Sequence, residues 1–260
     1  MNWQGLLVSV RDAAEAVEAV EGGADIIDVK EPRQGSLGRA EPAASVAVAR
    51  VVAARRPWTM ACGELGGQSG GDVGGEAEAT GGAAISRHLD RVWSLLAGGA
   101  MPPAAVKIGL AGAAGTDWRR RLLTVFESLP FDSERVAVAY ADWALARAPT
   151  PGEVIAAAAG LGCSTLLIDT FDKSAGGLFD CCQPGLPAVW VAAARAAGLQ
   201  VAVAGRISQD HIPAAWGLRP DVVALRSAVC FNGRDGRVQA ELVRRAVLRS
   251  AGRLHAAPVG

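Results

Sequence analysis

Only three of the 26 basic side chains in this 260-residue chain are lysines, Lys30, Lys107 and Lys173; the other 23 are arginines. Lys30 and Lys107 stand in the apolar runs IIDVK and VKIGL, and Lys173 comes four residues after Asp169, which closes the run LLID. A primary amine has a use that a guanidinium lacks: unprotonated, it attacks a carbonyl to form a Schiff base. Its pKa must then be lowered by burial or by nearby positive charge, which the other two lysines would supply. Asp28 and Asp169 are the carboxylates placed to move protons during imine formation, dehydration and carbon–carbon bond formation. The same residues also admit structural ion pairs, or a magnesium site built from Asp28, Glu64 and Asp169 that the neighbouring lysines oppose. The chemistry points to an imine-forming lyase or aldolase for a small phosphorylated carbonyl compound, without ranking the three lysines as nucleophile.

Side chains on a strand alternate between faces, so a strand over 25–30 projects Asp28 and Lys30 together and Ile27 and Val29 to the other side. Further apolar runs predict strands over 6–10, 58–62, 105–110, 135–140, 165–169, 200–204 and 221–225. Between them lie helical segments around 41–55, 86–97, 117–128, 151–159, 187–197 and 208–216, with a last helix over 238–253. Asp12 is placed to cap the first helix, and Gly22 and Gly23 end it. Eight strands each followed by a helix predict one α/β domain, a single (β/α)8 TIM barrel over 1–260; an open doubly wound sheet is the alternative.

A barrel gathers the carboxyl ends of its strands into one rim, here Ser9, Asp28, Lys30, Glu64, Lys107, Asp142, Asp169, Lys173, Arg206 and Arg226. The loops after strands seven and eight commonly bind phosphate in this fold. They read AGRIS and LRSAVC, so Gly205, Arg206, Arg226 and Ser227 are the expected phosphate contacts, assisted by the helices that begin beyond them. Residues 63–82 hold nine glycines and no apolar periodicity. They are expected to form a mobile loop, because the dinucleotide fingerprint is absent and no apolar helix is expected to begin there.

Balanced charge, 26 acids against 26 bases, leaves no electrostatic footprint for nucleic acid or an anionic membrane. No apolar run approaches a bilayer span, and the first residues lack a secretion signal, so a cytoplasmic protein is expected. Cys62, Cys163, Cys181, Cys182 and Cys230 read as free thiols. With His88, His211 and His255 scattered, no metal and no cofactor are expected. The expected partner is a small phosphorylated substrate, and the expected assembly a homo-oligomer.

The stretches LLVSV, GGADIIDVKEPRQGSLG, VKIGL and LLIDTFDKSAGGLFD, spread over most of the chain, resemble the (5-formylfuran-3-yl)methyl phosphate synthase family. The resemblance implies a (β/α)8 barrel that condenses two glyceraldehyde 3-phosphates into a furan aldehyde phosphate, with loss of phosphate and water, toward methanofuran or methylofuran. It implies that Lys30 forms the Schiff base beside Asp28, and that Lys107, Asp169, Thr170 and Lys173 are motif residues. Arg206 stands where the family is expected to carry a small residue, and the glycine-rich segment is longer than expected.

Overall fold

Every predicted strand forms, and each lies parallel to the next. The computed structural model describes residues 3–52, 55–67 and 77–251. The strands are β1 (Gly5–Val10), β2 (Ile26–Val29), β3 (Trp58–Glu64), β4 (Ala105–Gly109), β5 (Glu134–Tyr140), β6 (Cys163–Asp169), β7 (Gln200–Val203) and β8 (Val222–Leu225). They pair in chain order, and β8 returns to β1 with Gly5 opposite Val222, so the sheet closes and the open-sheet alternative falls. Runs rich in Val, Ile, Leu and Ala suit such strands, which are covered on both faces.

Parallel neighbours need crossovers. They are supplied by α1 (Ala13–Glu21), α2 (Pro42–Val52), α3 (Ala77–Leu96), α4 (Trp118–Glu127), α5 (Trp143–Ala146), α6 (Pro151–Ala158), α7 (Leu186–Ala196) and α8 (Ile212–Gly217), while α9 (Ala240–Ser250) follows β8. Asp12 caps α1 as expected, accepting from the Glu15 N–H at 2.9 Å, and Gly22 ends it. Thr150 and Glu153 form a reciprocal capping box on α6, and a cap of this kind contributes about 1 kcal/mol.

One expectation needs correction. Residues 63–82 are not one long loop: Gly63 and Glu64 complete β3, and α3 begins at Ala77 rather than near 86. The mobile-loop expectation for 68–76 lies outside the described residues. Glycine inside α3 serves packing, since a Cβ on Gly81 would stand 2.1 Å from the Leu65 carbonyl oxygen. The helix therefore comes close to the end of β3 only without a side chain there.

Inside the barrel, Ala105, Ala202, Ala204 and Ala224 are small, which leaves a cavity reaching from Trp3 to the carboxyl ends of the strands. Trp3 is buried and closes the amino-terminal end. Its indole N–H donates to Glu134 at 2.7 Å, and its backbone exchanges two hydrogen bonds with the Gln200 amide. The five cysteines are free thiols, as expected. Among the described residues no helix is long and apolar enough to cross a membrane.

Candidate active site

Alternation along β2 turns Asp28 and Lys30 into the barrel, onto the cavity also lined by Lys107 from β4 and Asp169 from β6. The register explains the first cluster: Ser9 and Thr59 are the lateral partners of Asp28 on β1 and β3. Asp28 Oδ1 accepts from Thr59 Oγ1 at 2.7 Å and from the Lys107 ammonium, while Oδ2 accepts from Ser9 Oγ at 3.1 Å. Lys107 also donates to Thr59 Oγ1 at 3.0 Å. Both members of this ion pair are buried, so neither rotates away without stranding the other.

A second cluster forms on β6. Asp169 Oδ1 accepts from Lys173 Nζ at 2.6 Å and from the Thr170 N–H at 2.7 Å, and Ser36 Oγ donates to Oδ2 at 3.0 Å. Lys173 further contacts the Thr170 hydroxyl at 2.9 Å and its carbonyl. Burial alone would raise the Asp169 carboxyl, but Lys173 and Lys30 hold it down at about 2. It is therefore a fixed carboxylate at neutral pH.

Lys30 differs from the other two lysines. It is only 9% exposed, and among the described residues its amine carries no hydrogen bond or ion pair. Burial lowers its pKa to about 8 against the opposing pull of Asp169 and Asp28, with Lys173 and Arg234 adding a downward push. An amine so placed is part free base near neutrality and is not engaged elsewhere. Of the other two lysines, Lys173 adds positive charge beside the Lys30 amine, whereas Lys107 is paired with Asp28.

Sequence reasoning left Glu64 without a role. Its side chain leans over Gly109 of β4 and meets the Tyr140 hydroxyl, which donates at 2.6 Å, while the Ala111 N–H donates to Oε2 at 2.9 Å. Burial raises both the Glu64 carboxyl and the Tyr140 phenol. The three carboxylates of the magnesium reading therefore face three different donors, Lys107, Tyr140 and Lys173. No three Cys, His, Asp or Glu side chains converge as a metal site among the described residues.

The expected phosphate loops border an upper cavity that also holds Lys30, Asp169 and Lys173. Gly205 has φ 102°, a conformation that favours glycine, and a Cβ there would press on Thr170 Cγ2 at 3.0 Å. Arg206, at φ 50°, is exposed and donates to the Lys173 carbonyl at 2.9 Å. Ser227 opens a short 3-10 turn, Ser227–Val229. Arg226 departs from expectation, because all five of its N–H groups are occupied. They meet both Glu15 oxygens and the carbonyls of Ser9, Arg234 and Gly236. Its guanidinium is a structural tie between β8, β1 and α1, with no donor left for an anion.

A family model described as 4-HFC-P synthase matches residues 6–247. The chain belongs to the 4-HFC-P synthase family. Proteins named (5-formylfuran-3-yl)methyl phosphate synthase from Archaeoglobus fulgidus and Methanocaldococcus jannaschii are 35% and 33% identical over 245 and 247 residues. Each alignment covers 92% of this chain, and 95% and 96% of the respective relative. Among solved structures, phosphoribosyl anthranilate isomerase from Thermotoga maritima superposes with a TM-score of 0.60 at 13% identity, covering 95% of this chain and 98% of that one. Thiamine phosphate pyrophosphorylase from Pyrococcus furiosus gives 0.57 at 12%, covering 97% and 98%. At such identity these two show the barrel alone.

In this member of the 4-HFC-P synthase family, Asp28, Lys30, Lys107 and Asp169 share one cavity, and Lys173 joins Lys30 and Asp169 above it. Three residues at the site were not foreseen. Thr59 faces inward by simple alternation on β3 and was legible in principle. Arg234 comes from an irregular loop, and Tyr140 read only as the apolar end of a strand.

Proposed function

We propose that this chain is a cofactor-free, Schiff-base-forming lyase that condenses two glyceraldehyde 3-phosphates into (5-formylfuran-3-yl)methyl phosphate, toward methanofuran or methylofuran. The observation that carries the reading is the state of Lys30: a buried amine with a lowered pKa and no side-chain partner among the described residues, between two carboxylates whose positions are fixed. The names of the relatives supply the product.

As free base, the Lys30 amine adds to the aldehyde carbon of one triose phosphate. The carbinolamine expels water and leaves a protonated imine, an electron sink that acidifies the adjacent carbon. Asp169 and Asp28 stand on either side to stabilise the iminium and to take and return protons. Two trioses lose one phosphate and two waters in reaching the furan, so one triose keeps its phosphate and the other releases it. Lys173, tied to Asp169 at the upper cavity, supports phosphate with the Gly205 and Ser227 loops, and Lys107 holds Asp28 and offsets negative charge that develops in the barrel.

Borohydride added with glyceraldehyde 3-phosphate is expected to trap a reduced adduct, which peptide mass spectrometry places on Lys30, and unreduced reactions are expected to develop furan absorbance in the ultraviolet. Absence of any lysine adduct overturns the imine, and an adduct on Lys107 or Lys173 overturns the choice of nucleophile. An adduct on Lys30 without furan absorbance returns the protein to a class I aldolase on another phosphorylated aldehyde.

A further inference from the structure

A condensation of two phosphate esters needs two anion sites, and the upper cavity beside Lys30 supplies only one set of loops. Next to it lies a second cleft of about 500 Å³, lined by the turn after β2 (Pro32, Arg33, Gly35, Ser36), by the segment after β6, including Lys173, and by Arg234. Lys173 and Arg234 line both spaces, so the two lobes meet at those cations. A volume of this size suits a small ligand.

Arg234 is half-buried and already aimed. Its Nη2 donates to the carbonyls of Pro32 at 3.0 Å and Gly35 at 2.7 Å, which fixes the plane of the guanidinium. Its Nε and Nη1 carry no hydrogen bond among the described residues. A fork oriented through one nitrogen with the rest unengaged matches the geometry of phosphate recognition. Arg33, exposed at the cleft mouth, likewise has no side-chain partner among the described residues. The carboxylate lining this cleft, Asp172, is turned to the N–H and hydroxyl of Ser174, at 2.8 and 2.6 Å. The cleft is thus cationic in excess, with Ser36 at its inner wall joined to Asp169.

We propose that this cleft, through Arg234 and Arg33, holds the phosphate of the second triose phosphate while the first is bound covalently at Lys30. The inference rests on the imine-forming condensation above and adds to it a separate subsite for the acceptor, a phosphate monoester of a small aldehyde. Binding there points the second aldehyde toward Lys30 past Lys173, and keeps two like-charged groups on different cations.

The test compares R33M and R234M with the parent in two assays: borohydride trapping with glyceraldehyde 3-phosphate, and furan formation as a function of its concentration. R33M is expected to trap the Lys30 adduct within twofold of the parent, and R234M to trap it more slowly near neutral pH because it loses a charge that lowers the Lys30 amine; both are expected to lose furan formation at least tenfold at subsaturating substrate. Inorganic phosphate is expected to inhibit furan formation in the parent and less in the variants. Furan formation within twofold of the parent in R33M, whose side chain is exposed and unengaged among the described residues, overturns the subsite whatever R234M does to the Pro32 turn. Loss of adduct and furan in parallel in both variants overturns it too, because the arginines would then serve the first aldehyde. A parent that gives neither adduct nor furan sinks the condensation itself, a result separable from the other two.

Discussion

The Tyr140 hydroxyl and Glu64 Oε1 lie 2.6 Å apart across the bare Cα of Gly109, where an added Cβ would stand 2.0 Å from Glu64 Oε2. Three consecutive strands therefore contribute an acid, a gap and a donor to a single buried contact beneath the rim. Burial raises the pKa values of both groups and Asp169 adds to the rise, so this contact and the Asp169–Lys173 pair share one electrostatic environment.

Tyr140→Phe removes the only side-chain donor to Glu64 among the described residues, and the change is expected to cost about 1–3 kcal/mol of stability in urea unfolding. The sign with pH follows from the raised carboxyl. Stability is fully present below the unfolded value of 4.5 and is lost as pH rises through the folded one. The variant, with Glu64 raised further, is expected to lose more stability than the parent between acid and neutral pH. Equal losses would show that the phenol does not hold the carboxylate.

Lys30 sets the expected pH dependence of imine formation. With the amine at about 8, the trapping rate is expected to rise about tenfold per pH unit below that value and to level off above it. Lys30→Arg is expected to trap nothing, since guanidinium stays protonated. A trapping rate that stays flat from pH 6 to 9 would place the reacting amine elsewhere.

Asp169→Asn removes the largest influence that keeps Lys30 protonated. The rising limb of the trapping profile should therefore move to lower pH even as furan formation falls. The same change leaves Lys173 without its buried partner, at an expected cost of about 3–5 kcal/mol. A limb that moves to higher pH would contradict the placement of Asp169 beside Lys30.

Arg226→Met tests the reassignment of that residue. Glu15 keeps its contact with Arg11 at 2.7 Å, so the loss is expected near the lower end of about 3–5 kcal/mol for a broken buried pair. The Michaelis constant of the variant, measured where it is fully folded, is expected to stay within about threefold of the parent. A large rise in that constant with little loss of stability would restore Arg226 as a phosphate ligand.

The barrel was legible because its strands are apolar runs separated by helical patterns, and because lysine is so scarce that each one stood out. What stayed hidden has physical causes. The first turns of α3 read as loop because glycines there, such as Gly81, make room for the end of β3, and a packing need of this kind leaves no periodic trace. Arg226 and Arg234 are the same residue type eight positions apart in irregular chain. Only three-dimensional proximity to Glu15 makes one a structural tie and leaves the other facing a cleft. By residue chemistry alone Lys30 and Lys107 were likewise equivalent, and only the resemblance set Lys30 apart; the register of β2, β3 and β4 gives Asp28 to Lys107.

Trp3, pinned to Glu134 and Gln200 at the bottom of the barrel, has a bearing on turnover. With that end plugged, the proposed condensation takes in two aldehydes and sends out a furan, a phosphate and water through the carboxyl-terminal mouth alone. On that proposal, release precedes reloading, and accumulated product is expected to compete directly with incoming substrate.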